Sequence, residues 1–283
     1  MAKHPIFKQF PITGERQISV GSVPIPYQVY DGHGSLLIGT ANLTAVTRLL
    51  EGQNLFPVTN QANKGLVGIW LCDFSDASLG PHNELQLSIF AAHKKLTPIQ
   101  NKPLSPLHAL IEHPDTRLFC HGLWNNSERV VAFNRELLGL DAKLNRAEIT
   151  RGNGRKSFKF YTANNQLICE AHLNEQRRSS MQMNWDMIRL FGFGRSARLS
   201  SGAFLPAFVV NPIGDTIPVN ADAMAIIASD TPIVQYFNPD KDNFRFAHVP
   251  YANLGFEPIF MEHFSPFRFV YLMPDILQEN SQY

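Results

Sequence analysis

The chain has 283 residues and a mass of 31.9 kDa, enough for one large domain or two modest ones with a sizeable core. At 44% hydrophobic and 17% charged residues it is too apolar for disorder, and no apolar run approaches the roughly 20 residues of a spanning helix, so a soluble globular protein with no membrane partner is expected. Twenty-five Lys and Arg against 24 Asp and Glu leave a net charge of +1, without the basic excess of a nucleic-acid binder, and a small-molecule partner fits better.

The amino terminus, MAKHPIFKQFPITGER, has neither an apolar signal core nor a transit-peptide composition, so a cytoplasmic location is expected. Leu43–Leu50 is short and amphipathic, a predicted helix. Residues 65–71 (GLVGIWL) and 84–91 (ELQLSIFA) read as consecutive strands joined by the turn-rich DFSDASLGPHN. In the second, Leu85, Leu87 and Ile89 alternate with Glu84, Gln86 and Ser88, which puts the apolar and polar side chains on opposite faces. On residue pattern alone the polar face is a solvated one.

Residues 117–124 (RLFCHGLW) form another predicted strand, and Ser127–Leu138 a helix with a serine cap. Gly152-Asn153-Gly154 marks a turn, after which Arg155–Tyr161 and Leu167–Leu173 make a hairpin. Beyond Val219 the chain becomes dense in Pro, Phe and Tyr. That segment, 220–283, reads as an aromatic-rich extension packed on a domain spanning 1–219 and as material for a homo-oligomer contact. Strands outnumber helices, and the 19 prolines and 18 glycines are spread between them, so the fold class is α+β and β-rich.

The three cysteines, Cys72, Cys120 and Cys169, sit among apolar neighbours without a CxxC pair and read as core thiols. No phosphate-binding, dinucleotide-binding, zinc-protease or serine-hydrolase motif occurs. The ten histidines show no metal-ligand spacing, so neither metal nor other cofactor is expected.

Four local patterns stand in a recognisable order: PYQVYDGHGSLLIGTANLTAV at 26–46, SLGPHNELQLSIFA at 78–91, LFCHGLWNNSERVVAFNRELLGLDAKL at 118–144 and GRSARLSSGAFLPAFVVNPIGDTIPV at 194–219. Together they resemble the acetoacetate decarboxylase-like superfamily. The resemblance implies a twisted β-barrel or cone with a few helices outside, an apolar cavity, and a lysine that forms a Schiff base with a β-keto acid. It places the family glutamate on Glu84 and matches the Arg-Glu segment with Arg135 and Glu136. It puts the imine-forming lysine on Ala142, keeps its neighbour as Lys143, and leaves Gly32 where a cavity arginine would stand.

Alanine forms no imine, so the resemblance shifts the expected chemistry from Schiff-base decarboxylation to general acid–base work on a keto acid, lactone or related carbonyl compound. Glu84 is then the proton carrier and Lys143 the group stabilising an enolate or oxyanion. His33, His82, Gln86, His121 and Arg135 are the candidate substrate-binding residues. A Schiff-base enzyme using Lys143, and a ligand-binding protein without turnover, are the alternatives.

Overall fold

The computed structural model describes residues 4–193, 205–210, 222–229 and 233–273; at 112, 205–210, 222–225 and 229 it describes the backbone alone. In chain order, helix Pro5–Gln9 (α1) precedes the hairpin Gly14–Ile18 (β1) and Gly21–Ile25 (β2), and the long strand Tyr27–Asn42 (β3) runs into helix Leu43–Leu49 (α2). Then come Phe56–Pro57 (β4), Lys64–Ala77 (β5), His82–Ala92 (β6), helix Ser105–Glu112 (α3), Arg117–Asn125 (β7) and helix Glu128–Leu138 (α4). Ala142–Gly152 (β8), Arg155–Thr162 (β9) and Leu167–Asn174 (β10) lead to helix Met181–Phe191 (α5). The remainder is Leu205–Val210 (β11), Asp222–Ser229 (β12), Ile233–Tyr236 (β13), Asn243–Phe246 (β14), a short helical turn at Tyr251–Leu254, Glu257–Phe264 (β15) and Phe267–Leu272 (β16).

Local chemistry sets several of these bounds. The Ser127 hydroxyl accepts from the Val130 N–H at the start of α4, and Gly139, at φ 66°, ends that helix in the left-handed region that glycine favours. Asn153 and Gly154 both have positive φ, which closes the tight turn between β8 and β9.

Pairing runs from β7 through β11, β12, β16, β3 and β5 to β6, and β6 pairs back onto β7. The sheet is thereby twisted into a cone, accompanied among the described residues by five α-helices. β8 stays beside β7 only for Ala142–Leu144, then peels away to pair with β9 and begin a second sheet, β8–β9–β10–β14. Two cores follow from this. On β5, Trp70, Cys72 and Phe74 point into the cone, while Val67, Ile69 and Leu71 point into the layer between the cone and the second sheet, where Phe158 and Phe160 of β9 meet them. A strand buried on both faces needs apolar residues at nearly every position, as GLVGIWL has.

The segment after Val219, expected as an extension packed on the domain, supplies strands of the sheet itself: β12 and β16 lie in the closed path of the cone, and β15 pairs with β3 beside β16. β16 pairs with Tyr27–Val29 and β15 with Gly34–Thr40, so the two share one edge of β3. The physical reason is strand alternation: Phe267, Phe269 and Tyr271 are core side chains of an interior strand. β15 crosses so close to β3 that a Cβ at Gly39 would lie 2.2 Å from the Glu257 carbonyl oxygen. Of the stretch 194–219 that carries part of the resemblance, only the β11 backbone lies among the described residues. Among the described residues no helix is long and apolar enough to cross a membrane.

Candidate active site

β6 lies between the two cores, so its alternation has a different meaning from that of a surface strand. Leu85, Leu87 and Ile89 fill the layer behind the cone. Glu84 and Gln86 line a cavity inside it, and the Gln86 amide donates to Ser88 Oγ at 2.7 Å on the same face. The polar face thus meets a pocket rather than bulk water. Six aromatic residues wall this pocket: Tyr27, Trp70, Phe74, Phe267, Phe269 and Tyr271. Trp70 is stacked on Phe267 at 6.0 Å with an interplanar angle of 2°, and Phe267 on Phe264 at 4.6 Å, which makes that wall stiff and apolar. The cavity volume is about 50 Å³. A water needs roughly 10–15 Å³ on this measure, so the space suits a few non-hydrogen atoms.

Two asparagines hold Glu84. Asn134, on the inward face of α4, donates to Asn125 Oδ1 at 3.1 Å, and Asn125, at the end of β7, donates from Nδ2 to Glu84 Oε2 at 3.0 Å. Because the Asn125 oxygen is occupied by Asn134, its N–H is obliged to face the carboxylate. Both asparagines are buried. Burial raises the Glu84 pKa to about 7, against a smaller lowering by the Asn125 hydrogen bond. The carboxyl therefore changes charge near neutrality, as a proton-transfer group needs.

Next to it, His82 Nδ1 lies 2.9 Å from the Gly80 carbonyl and Nε2 2.8 Å from the Tyr27 hydroxyl. Burial lowers the His82 pKa to about 4, so the ring is neutral at pH 7. A carbonyl only accepts, hence Nδ1 carries the hydrogen and Nε2 accepts the Tyr27 proton. His82 is therefore a buried prop for Tyr27. The Cys72 thiol, also in the cavity wall, is pushed far up by burial first and by Glu84 second, and is inert as a thiolate source.

The other sequence candidates stand elsewhere. Ala142 pairs with Leu123 and is fully buried in the interior cluster, so strand period turns Lys143 outward, where it is 53% exposed and paired with Asp141 at 2.8 Å. The approach of Lys143 to Glu84 expected from the sequence is not made. His121 occupies a bulge in β7, with its Nδ1 3.2 Å from the Tyr251 hydroxyl and away from the cavity lining. His33 lies behind the wall, with Nε2 3.5 Å from Asp73 and its ring against Phe158. Arg135 is exposed on α4 and borders an outer groove with Ser19 and Glu136. Among the described residues no group of three or more His, Cys, Asp or Glu is placed to hold a metal ion.

No family model matches the chain, and no curated protein matches it. Solved structures do. An acetoacetate decarboxylase from Legionella pneumophila superposes with a TM-score of 0.58 at 12% identity, over 95% of this chain and 94% of that one. A second acetoacetate decarboxylase gives 0.54 at 13% identity, over 88% and 87%. This chain has the acetoacetate decarboxylase fold. The enduracididine biosynthesis enzyme MppR, complexed with pyruvate, is also similar, with a TM-score of 0.51 at 9% identity over 88% of each chain. Within the acetoacetate decarboxylase-like fold, the polar residues at this cavity that sequence reasoning did not single out include Tyr27, Asn125, Asn134 and Tyr271. Tyr27 stood in the quoted opening pattern, and Asn125 and Asn134 in the third. Tyr271 had no signal, because its segment did not read as strand.

Proposed function

We propose that this protein is an enzyme acting on a small carbonyl compound, with Glu84 carrying a proton to or from the substrate inside the cone. The observation that carries the reading is a carboxyl with a pKa near 7, held by the Asn134–Asn125 relay in an aromatic cavity. The shared fold of a decarboxylase and of an enzyme seen with pyruvate supports a substrate of this size and class. Schiff-base chemistry is no part of the proposal: Ala142 faces inward and Lys143 is engaged outside with Asp141. The test is turnover of a panel of small lactones, ketones and keto acids followed by NMR. Wild-type protein should convert at least one class, and Glu84→Gln none of it. Full activity of Glu84→Gln refutes the assignment.

The inward alanine favours a second reading, a binding protein without turnover. Ligands from the same panel that raise the melting temperature of wild-type protein and are returned unchanged would establish it.

A further inference from the structure

Two tyrosines stand side by side on the cavity wall, and their hydroxyls are used differently. Tyr271 of β16 is the direct cross-strand partner of Tyr27 of β3, and both line the cavity with Glu84. The Tyr27 proton is committed to His82 Nε2 at 2.8 Å. The Tyr271 hydroxyl is buried, with the residue 9% exposed, and has no hydrogen-bond partner among the described residues. A buried hydroxyl without a partner is a net cost to the fold unless something that visits the site supplies one. Here Tyr271 lines the same cavity as Glu84 and feels its charge.

We propose, building on the Glu84 reading above, that Tyr271 holds the carbonyl oxygen of an uncharged, enolisable substrate while Glu84 takes the proton from the adjacent carbon. In that step the C–H bond breaks and its proton passes to the Glu84 carboxylate. The C–H electron pair becomes the C=C bond of the enolate, and the carbonyl π pair moves onto oxygen, where the Tyr271 O–H donates a hydrogen bond. Tyr271 keeps its own proton, since burial holds its pKa well above the ordinary value. Return of a proton from Glu84 to carbon closes the cycle, with nothing oxidised or reduced.

The substrate class follows from charge. The described lining of the cavity holds no Lys, Arg or His, and the neighbouring inward position on β8 is Ala142. A carboxylate substrate would bring a second negative charge beside Glu84 in an aromatic pocket. A neutral ketone or lactone brings none.

The test uses the whole protein with butan-2-one in D2O, followed by proton NMR as the loss of signals next to the carbonyl, and pyruvate alongside as an anionic ketone of similar size. Wild-type protein should exchange butan-2-one above the buffer rate and pyruvate more slowly, and Glu84→Gln should exchange neither. Tyr271→Phe should lose roughly a hundredfold in kcat, the loss typical of one oxyanion donor, with KM little changed. Its melting temperature should stay at or above that of the wild type, because the hydroxyl removed has no partner among the described residues. Tyr271→Phe exchanging at the wild-type rate while Glu84→Gln is inactive overturns the Tyr271 role and leaves the Glu84 reading standing. A clear fall in its melting temperature also overturns that role, by showing a protein partner for the hydroxyl. Faster exchange of pyruvate overturns the uncharged class. Wild-type protein that exchanges neither ketone overturns the enolisation inference and leaves the Glu84 reading to the wider panel, whereas Glu84→Gln that exchanges as well as wild type overturns both.

Discussion

Replacing Glu84 with glutamine preserves its shape and its hydrogen bond, since a carboxamide oxygen accepts from Asn125 Nδ2 as the carboxylate does, at 3.0 Å in the native protein. It removes the ability to ionise. A carboxyl held near 7 instead of at 4.5 is harder to ionise in the folded state by about 3 kcal/mol, at about 1.4 kcal/mol per pH unit. Below pH 4.5 the side chain is protonated in both folded and unfolded chains and costs nothing. As the pH rises from 4.5 to 7 the unfolded chain ionises while the folded one resists, so wild-type stability falls; above 7 the whole cost is present. Glutamine mimics the protonated acid at every pH. The Glu84→Gln protein should therefore match the wild type near pH 4, begin to exceed it by pH 5, and exceed it by about 3 kcal/mol at pH 8.5. Urea unfolding at a series of pH values measures the gap. Glu262, whose pKa burial also raises to about 7, titrates in both proteins and cancels in the difference. A gap that does not change between pH 5 and 8.5 refutes the buried, resistant carboxyl on which the proton-carrier role rests.

Gly39→Ala places a methyl group 2.2 Å from the Glu257 carbonyl oxygen, and should cost about 2–3 kcal/mol through a forced separation of β3 from β15, read as a lowered melting temperature. Lys156 is fully buried, with Nζ 3.0 Å from the Gly34 carbonyl and 3.2 Å from Glu175. Glu175→Ala strips the ammonium of its counter-charge and should destabilise the protein by about 3–5 kcal/mol at pH 7. Burial lowers the Lys156 pKa to about 8, so the loss should shrink at higher pH, where the amine sheds its proton. Ala142→Lys puts an amine on the inward face of β8 and should yield a borohydride-trapped adduct with a small ketone by mass spectrometry, whereas the wild type yields none and Lys143→Ala leaves turnover unchanged.

The strands at 64–77, 82–92 and 117–125 were legible because their side chains alternate or run apolar over a length that only strands bury. Glu84 was legible too, through its place in a pattern. Its surroundings were not, since alternation on β6 reports two chemically different faces and is silent on whether the polar one meets water or a cavity. Lys143 shows how much one residue matters: β8 did not read as a strand, and with no period to apply, inward Ala142 and outward Lys143 were interchangeable. His121 illustrates the same point through a bulge, which flips the face that the β7 alternation would assign. Tyr271 and the late strands were out of reach because their partners on β3 lie at the other end of the sequence, and no local pattern encodes a pairing of that span.

That span has a consequence for how the chain is made. Thr40 sits opposite Glu257 and Tyr27 opposite Tyr271, so β3 keeps one edge open until the segment from Glu257 to Tyr271 has been made. Until then β3 presents its bare amides and its Leu36–Ile38 segment to anything nearby, a template for wrong pairing with other nascent chains. With so many of its contacts closing loops of this size, folding is slow by the same logic. A truncation that removes β15 and β16 strips β3 of the partners on that edge and breaks the path from β3 to β12 that closes the cone.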